Sequence, residues 1–123
     1  MKKYFLKPEK KKFIGIFITS KALNKILKIY KKKKNIIGIK INIKKTGCAG
    51  FKYTMKYCEK KKKSEISFSN YNISIFLPKK KIKLLDGLII DFINKNFHKN
   101  FEFYHKNSKK KCGCGESFNI KKT

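Results

Sequence analysis

Residues 37–51 read IGIKINIKKTGCAGF. Ile37, Ile39, Ile41 and Ile43 alternate with Gly38, Lys40, Asn42 and Lys44, which gives one apolar face and one wet face. That period of two is the mark of a half-buried β-strand. The strand runs into Thr46-Gly47-Cys48-Ala49-Gly50, a turn with two glycines, and Phe51 to Tyr57 leaves it as a second strand. Working outward, Ile14, Ile16 and Ile18 put a strand over Phe13 to Ile18. Thr19 or Ser20 then supplies a helix cap. Ala22, Leu23, Ile26, Leu27 and Tyr30 follow at helical spacing, predicting an amphipathic helix over 20–32. Toward the C-terminus, Ile66/Phe68 and Ile73/Ile75/Leu77 form a hairpin through Ser69-Asn70-Tyr71. Pro78 begins a short second helical turn with Ile82, Leu84 and Leu85, ended by Asp86-Gly87. Leu88 to Ile93 and the Phe101/Phe103 pair give the last strands. Strands outnumber helices too far for an alternating βαβ sheet, so the class is α+β and β-rich. A chain of 123 residues is one domain.

The loudest feature is charge. There are 34 basic residues, all lysine, against 7 acidic ones, for a net +27. A basic nucleic-acid-binding module is one reading of that number. The absence of arginine argues against it, because arginine's planar fork is what pairs bidentately with phosphate and base edges. Lys, Ile, Asn, Phe and Tyr make up 79 of the 123 residues, and their codons are mostly A and T. The lysine excess therefore reads as compositional drift on exposed positions. No apolar run is long enough to span a bilayer. Lysine runs at 10–12, 31–34, 60–63, 79–81 and 109–111 punctuate the chain. Residues 1–12 are expected to be a basic disordered tail, 13–106 the core domain, and 107–123 a C-terminal tail belonging to that domain. Neither a secretory signal nor an Arg-rich presequence is visible at the start, so a cytoplasmic location is expected.

In a reducing compartment four cysteines point to ligands or catalytic thiols rather than disulfides. Cys48 stands between Gly47 and Ala49-Gly50, and Cys112 and Cys114 are each followed by glycine. Small neighbours leave room for a bulky inorganic ligand, and thiolates suit Fe–S clusters, zinc or Cu(I). A zinc-stabilised structural domain fits poorly, because zinc knuckles favour C-x2–4-C and this pair is C-x-C. An Fe–S cluster usually takes four cysteines. Three well-placed thiols fall one short, so a second subunit, Glu116 or a small thiol would complete the set. Cysteines that merely fill small loop positions are the bland alternative.

The stretch from Gly38 to Phe51, Asp86-Gly87 with Asp91-Phe92, and CGCGESF at 112–118 together resemble the A-type iron–sulfur carriers, the HesB/IscA/SufA family. TGCAGF at 46–51 is closer to the SufA branch than to the SGCSGM wording of the IscA branch. The resemblance covers about residues 13–120. It departs from the family pattern at Phe103-Tyr104-His105-Lys106, where an Asn-Pro turn is missing. It implies a HesB-like domain of two small packed sheets of mixed strands, with one main helix and a short second one. It also implies a homodimer or homotetramer. Cys48, Cys112 and Cys114 would bind a [2Fe–2S] or [4Fe–4S] cluster, or iron alone, with Glu116 as a further candidate ligand. A scaffold complex would donate the cluster and apo-proteins would accept it, with no specific nucleic acid and no membrane as partner.

The other chemical residues read more plainly. Cys58 falls on a strand and is expected to be a small buried hydrophobe. His98 and His105 lack partners at ligand spacing and are expected on the surface. Asp86 reads as a turn residue, and Asp91 as solvent-facing or paired with a partner. Phe51, Phe97, Phe101 and Phe103 read as core rather than as base-stacking platforms. No nucleotide-binding loop and no nucleophile with its base is visible, so a carrier and not an enzyme is expected.

Overall fold

A computed structural model of the protein describes residues 2–46, 50–95, 98–105 and 120–121. The long alternating stretch forms β3 (Gly38–Thr46), paired antiparallel along its whole length with β4 (Gly50–Cys58), from Gly38 opposite Cys58 to Thr46 opposite Gly50. Ile39, Ile41 and Ile43 of β3 are buried, as are Tyr53, Met55 and Tyr57 of β4. Ile37 stays outside the strand and is 49% exposed. The strand starts at Gly38, where a Cβ would come within 2.5 Å of the Phe76 ring and 3.0 Å of the Ser74 carbonyl. The strand can begin there only because the residue has no side chain.

β5 (Glu65–Asn70) and β6 (Ile73–Pro78) form the second hairpin. Its two-residue turn puts Tyr71 and Asn72 at φ +52° and +64°, the mirror-image geometry that matches strand twist. A 3-10 turn at Lys79–Lys81 leads into the one-turn α2 (Ile82–Leu85), and then β7 (Leu88–Lys95) and β8 (His98–His105) pair antiparallel. β2 (Ile16–Thr19) is shorter than the alternation predicts. Gly15 sits at φ +124° and breaks the strand before it, which leaves Ile14 53% exposed. α1 (Ser20–Lys32) follows directly, with Ala22, Leu23 and Ile26 buried and Thr19 as its cap. Lys31 and Lys32 sit favourably at its negative C-terminal end.

Two expectations about architecture are corrected. The N-terminal segment is not a disordered tail: Lys3–Pro8 is a strand, β1. Its Lys3–Leu6 pair antiparallel with β2 and its Lys7 and Pro8 pair with β5. Because β1 joins both groups of strands, the described residues form not two separate small sheets but one continuous sheet of nine strands, in the order β8-β7-β2-β1-β5-β6-β3-β4-β9. Here β9 (Ile120–Lys121) runs parallel to β4, and β2–β7 and β3–β6 are also parallel, so the sheet is mixed. It curls until it is nearly closed. Tyr53 of β4 stacks on Phe103 of β8, rings 5.0 Å apart, although these strands lie near opposite ends of the order. Leu6, Ile18, Ile41, Phe68, Ile90 and Phe101 are fully buried in the enclosed core. Among the described residues no helix is long and apolar enough to cross a membrane.

Candidate functional site

Cys48, Cys112, Cys114 and Glu116 lie outside the described residues. The structure describes the elements that hold the segments carrying them. Cys48 is the middle of the three residues joining β3 to β4, and the last pair before that connection is Thr46 opposite Gly50. The C-terminal segment is tied to the same β4, with Ile120 opposite Met55 and Lys121 opposite Lys56. That pairing is parallel, so the chain enters β9 from the end of β4 at which Gly50 stands. Nothing in the periodicity pointed to β9, since a two-residue strand carries no pattern.

On the other side, the C-terminal segment leaves from β8, whose last residue is firmly placed. His105 Nε2–H donates to the Asp86 carbonyl at 2.8 Å. The Asp86 carboxylate in turn accepts from the backbone N–H groups of Ile14 (2.7 Å) and Gly15 (2.9 Å). Gly87 N–H closes the set onto the Gly15 carbonyl at 2.8 Å. His105 is thus a half-buried link between β8, α2 and the lead into β2, rather than a plain surface residue. Asp86 keeps its turn role and adds a capping one.

Cys58 is buried at 7% exposure, and its thiol donates to the Gly38 carbonyl at 3.4 Å. Burial pushes its pKa up, partly offset by Lys40. A protonated, hydrogen-bonded thiol at the far end of β4 from Gly50 suits packing and not ligation. Asp91 is buried and paired: the Thr19 hydroxyl donates to its Oδ1 at 2.6 Å. Phe101 and Phe103 are core residues and Phe51 packs against the core, whereas Phe97 and the His98 side chain lie outside the described residues. Among the described residues no group of three or more His, Cys, Asp or Glu side chains could hold a metal ion.

The family model described as iron-sulphur cluster biosynthesis matches residues 14–116. The chain belongs to the iron-sulphur cluster biosynthesis family. Within that family it is similar to a chain of Buchnera aphidicola subsp. Acyrthosiphon pisum, 43% identical over 98% of this chain and 95% of the relative. The iron-sulfur cluster assembly protein SufA of Escherichia coli is 29% identical over 86% of this chain and 87% of its own. The SufA crystal structure superposes with a TM-score of 0.75 over 88% of this chain and 95% of that one. A crystal structure of IscA with a [2Fe-2S] cluster shares the fold at TM-score 0.66 and 20% identity, over 88% of this chain and 99% of the other. The family match, together with the likeness to SufA, makes this an A-type member of the iron-sulphur cluster biosynthesis family.

Proposed function

We propose that the protein is a non-enzymatic carrier that receives an iron–sulfur cluster from a scaffold complex and passes it to apo-proteins. Cys48, Cys112 and Cys114 are the proposed cluster ligands, and the cargo is a [2Fe–2S] or [4Fe–4S] cluster, or iron alone. The observation that carries the reading is the anchoring of both cysteine-bearing segments on β4. Cys114 lies six positions before Ile120, and Ala49 six positions before the paired Met55. Six extended residues reach about 20 Å, so a chain returning from Ile120 toward the Gly50 end has the span to bring Cys112 and Cys114 up to Cys48. Three thiolates leave one iron position to be filled, either by a second copy of the chain or by Glu116. An incompletely enclosed cluster is open to attack by an incoming thiolate, which is the step a transfer needs. This reading places the protein in a homodimer or homotetramer.

The test is anaerobic reconstitution with iron and sulfide, read by visible charge-transfer absorption and by elemental analysis. Wild type should become brown and hold iron and sulfide. Cys48→Ser and the double variant Cys112→Ser/Cys114→Ser should each lose most of that absorption, while Cys58→Ser keeps it. A double variant with the full cluster would sink the ligand assignment, and one firm zinc per chain without iron would replace the reading with a structural zinc domain.

A further inference from the structure

A groove runs along α1 on the side where that helix packs against β7. At one end is a cavity of about 300 Å³ whose floor is Ile29, Tyr57, Phe92 and Phe101 and whose rim carries Lys25, Lys32 and Lys99. It shares Lys25, Phe92 and Lys99 with an adjoining cavity of about 430 Å³, where Lys21 and Lys28 extend the rim. Lys25 Nζ stands 5.5 Å from the centre of the Phe92 ring, at the joint between the two. Among the described residues no acidic side chain lines either cavity. Lys21, Lys25, Lys28 and Lys32 recur about once per helical turn, a stripe about 17 Å long at 1.5 Å per residue.

We propose that this groove docks an extended acidic segment of another protein, with one apolar side chain in the apolar-floored cavity and carboxylates along the lysine rim. The length favours a segment over a compact metabolite, since about five extended residues span it. Its charge favours an acidic partner and disfavours a second copy of this +27 chain. Single-stranded nucleic acid would need open ring faces for stacking, but Phe101 is 0%, Tyr57 1% and Phe92 8% exposed. Those rings lie too deep to stack on bases, and the apolar surface open to an inserted side chain is the half-buried Ile29 with the methylene stems of the rim lysines. Tyr57 lies seven residues along β4 from Gly50, about 24 Å by strand rise. The groove is thus separate from the Cys48 connection, and its occupancy does not depend on the cluster.

The experiment uses the full-length, metal-free, reduced chain and a fluorescein-labelled peptide with acidic residues on either side of a central phenylalanine. Anisotropy is read at ~0.15 M salt, where exposed charges beyond ~8 Å are screened. Two triple variants remove the same charge: Lys25→Gln/Lys32→Gln/Lys99→Gln in the groove, and Lys10→Gln/Lys63→Gln/Lys80→Gln on exposed positions elsewhere. The groove variant should weaken binding about tenfold and the control less than about twofold. An alanine replacing the peptide's phenylalanine should weaken binding to wild type about fivefold, a readout that needs no variant to fold. Equal losses from the two triple variants, or indifference to the phenylalanine, would reduce the effect to bulk charge and overturn the proposal. Tighter binding of an oligothymidylate with the same groove sensitivity would overturn it in favour of nucleic acid.

Discussion

Thr19 closes β2 and opens α1, and its hydroxyl is shared between the two. It accepts from Ala22 N–H at 3.3 Å and donates to the Asp91 carboxylate at 2.6 Å. With Thr19 2% and Asp91 8% exposed, water cannot replace either bond freely. Thr19→Val keeps the shape but removes the cap and a charge-assisted donor, and should cost about 2–4 kcal/mol in urea unfolding. Thr19→Ser keeps both bonds and should cost about 1 kcal/mol or less, the value of one methyl group. Equal costs for the two would mean that the methyl and not the hydroxyl matters. The cap was legible because it sits beside the helix it starts. Asp91 was not legible as its partner, since the two lie 72 positions apart and no local pattern links them. His105 was missed for the same reason, because its contact is with the backbone of Asp86.

At the scale of elements, the strands that were legible are those with one wet face. β3 and β4 and the β5–β6 hairpin alternate, and their turns carry glycine or asparagine. β1 offered only Tyr4-Phe5-Leu6 among lysines, too short to show a period. What makes it a strand is tertiary: β2 on one side, β5 on the other, Leu6 fully buried, and Asn70 donating to the Phe5 carbonyl at 2.9 Å. Missing β1 also meant missing that the sheet is continuous. Removal of residues 1–8 should therefore abolish cooperative thermal unfolding and near-UV circular dichroism. A truncated chain that melts cooperatively within a few degrees of wild type would return those residues to the status of a tail. The three cysteines of the candidate site lie outside the described residues, and β4 as the common anchor of the segments that carry them emerged only from the pairing of Ile120 with Met55.

At the scale of the molecule, the positive charge opposes any assembly of like copies, and the proposed sharing of a cluster requires one. Self-association should strengthen as salt rises from ~0.01 M to ~0.1 M, as the Debye length falls from ~30 Å to ~10 Å. Sedimentation equilibrium that shows no salt dependence would remove charge as a control on assembly.

The position of β1 in the sheet also sets a timetable. It is made before the strand it pairs with, and its residues Lys7 and Pro8 must wait for Ser69 and Phe68. At ~5–20 residues per second that is a delay of about 3–12 s. Through that interval an aromatic strand with an open edge is exposed to neighbouring nascent chains, a standard route to aggregation. Lys2, Lys3, Lys7 and Lys10–Lys12 bracket it closely, and like charges flanking an apolar strand act as gatekeepers against such pairing. The lysines that dominate the surface thereby also shield the strand on which closure of the sheet depends.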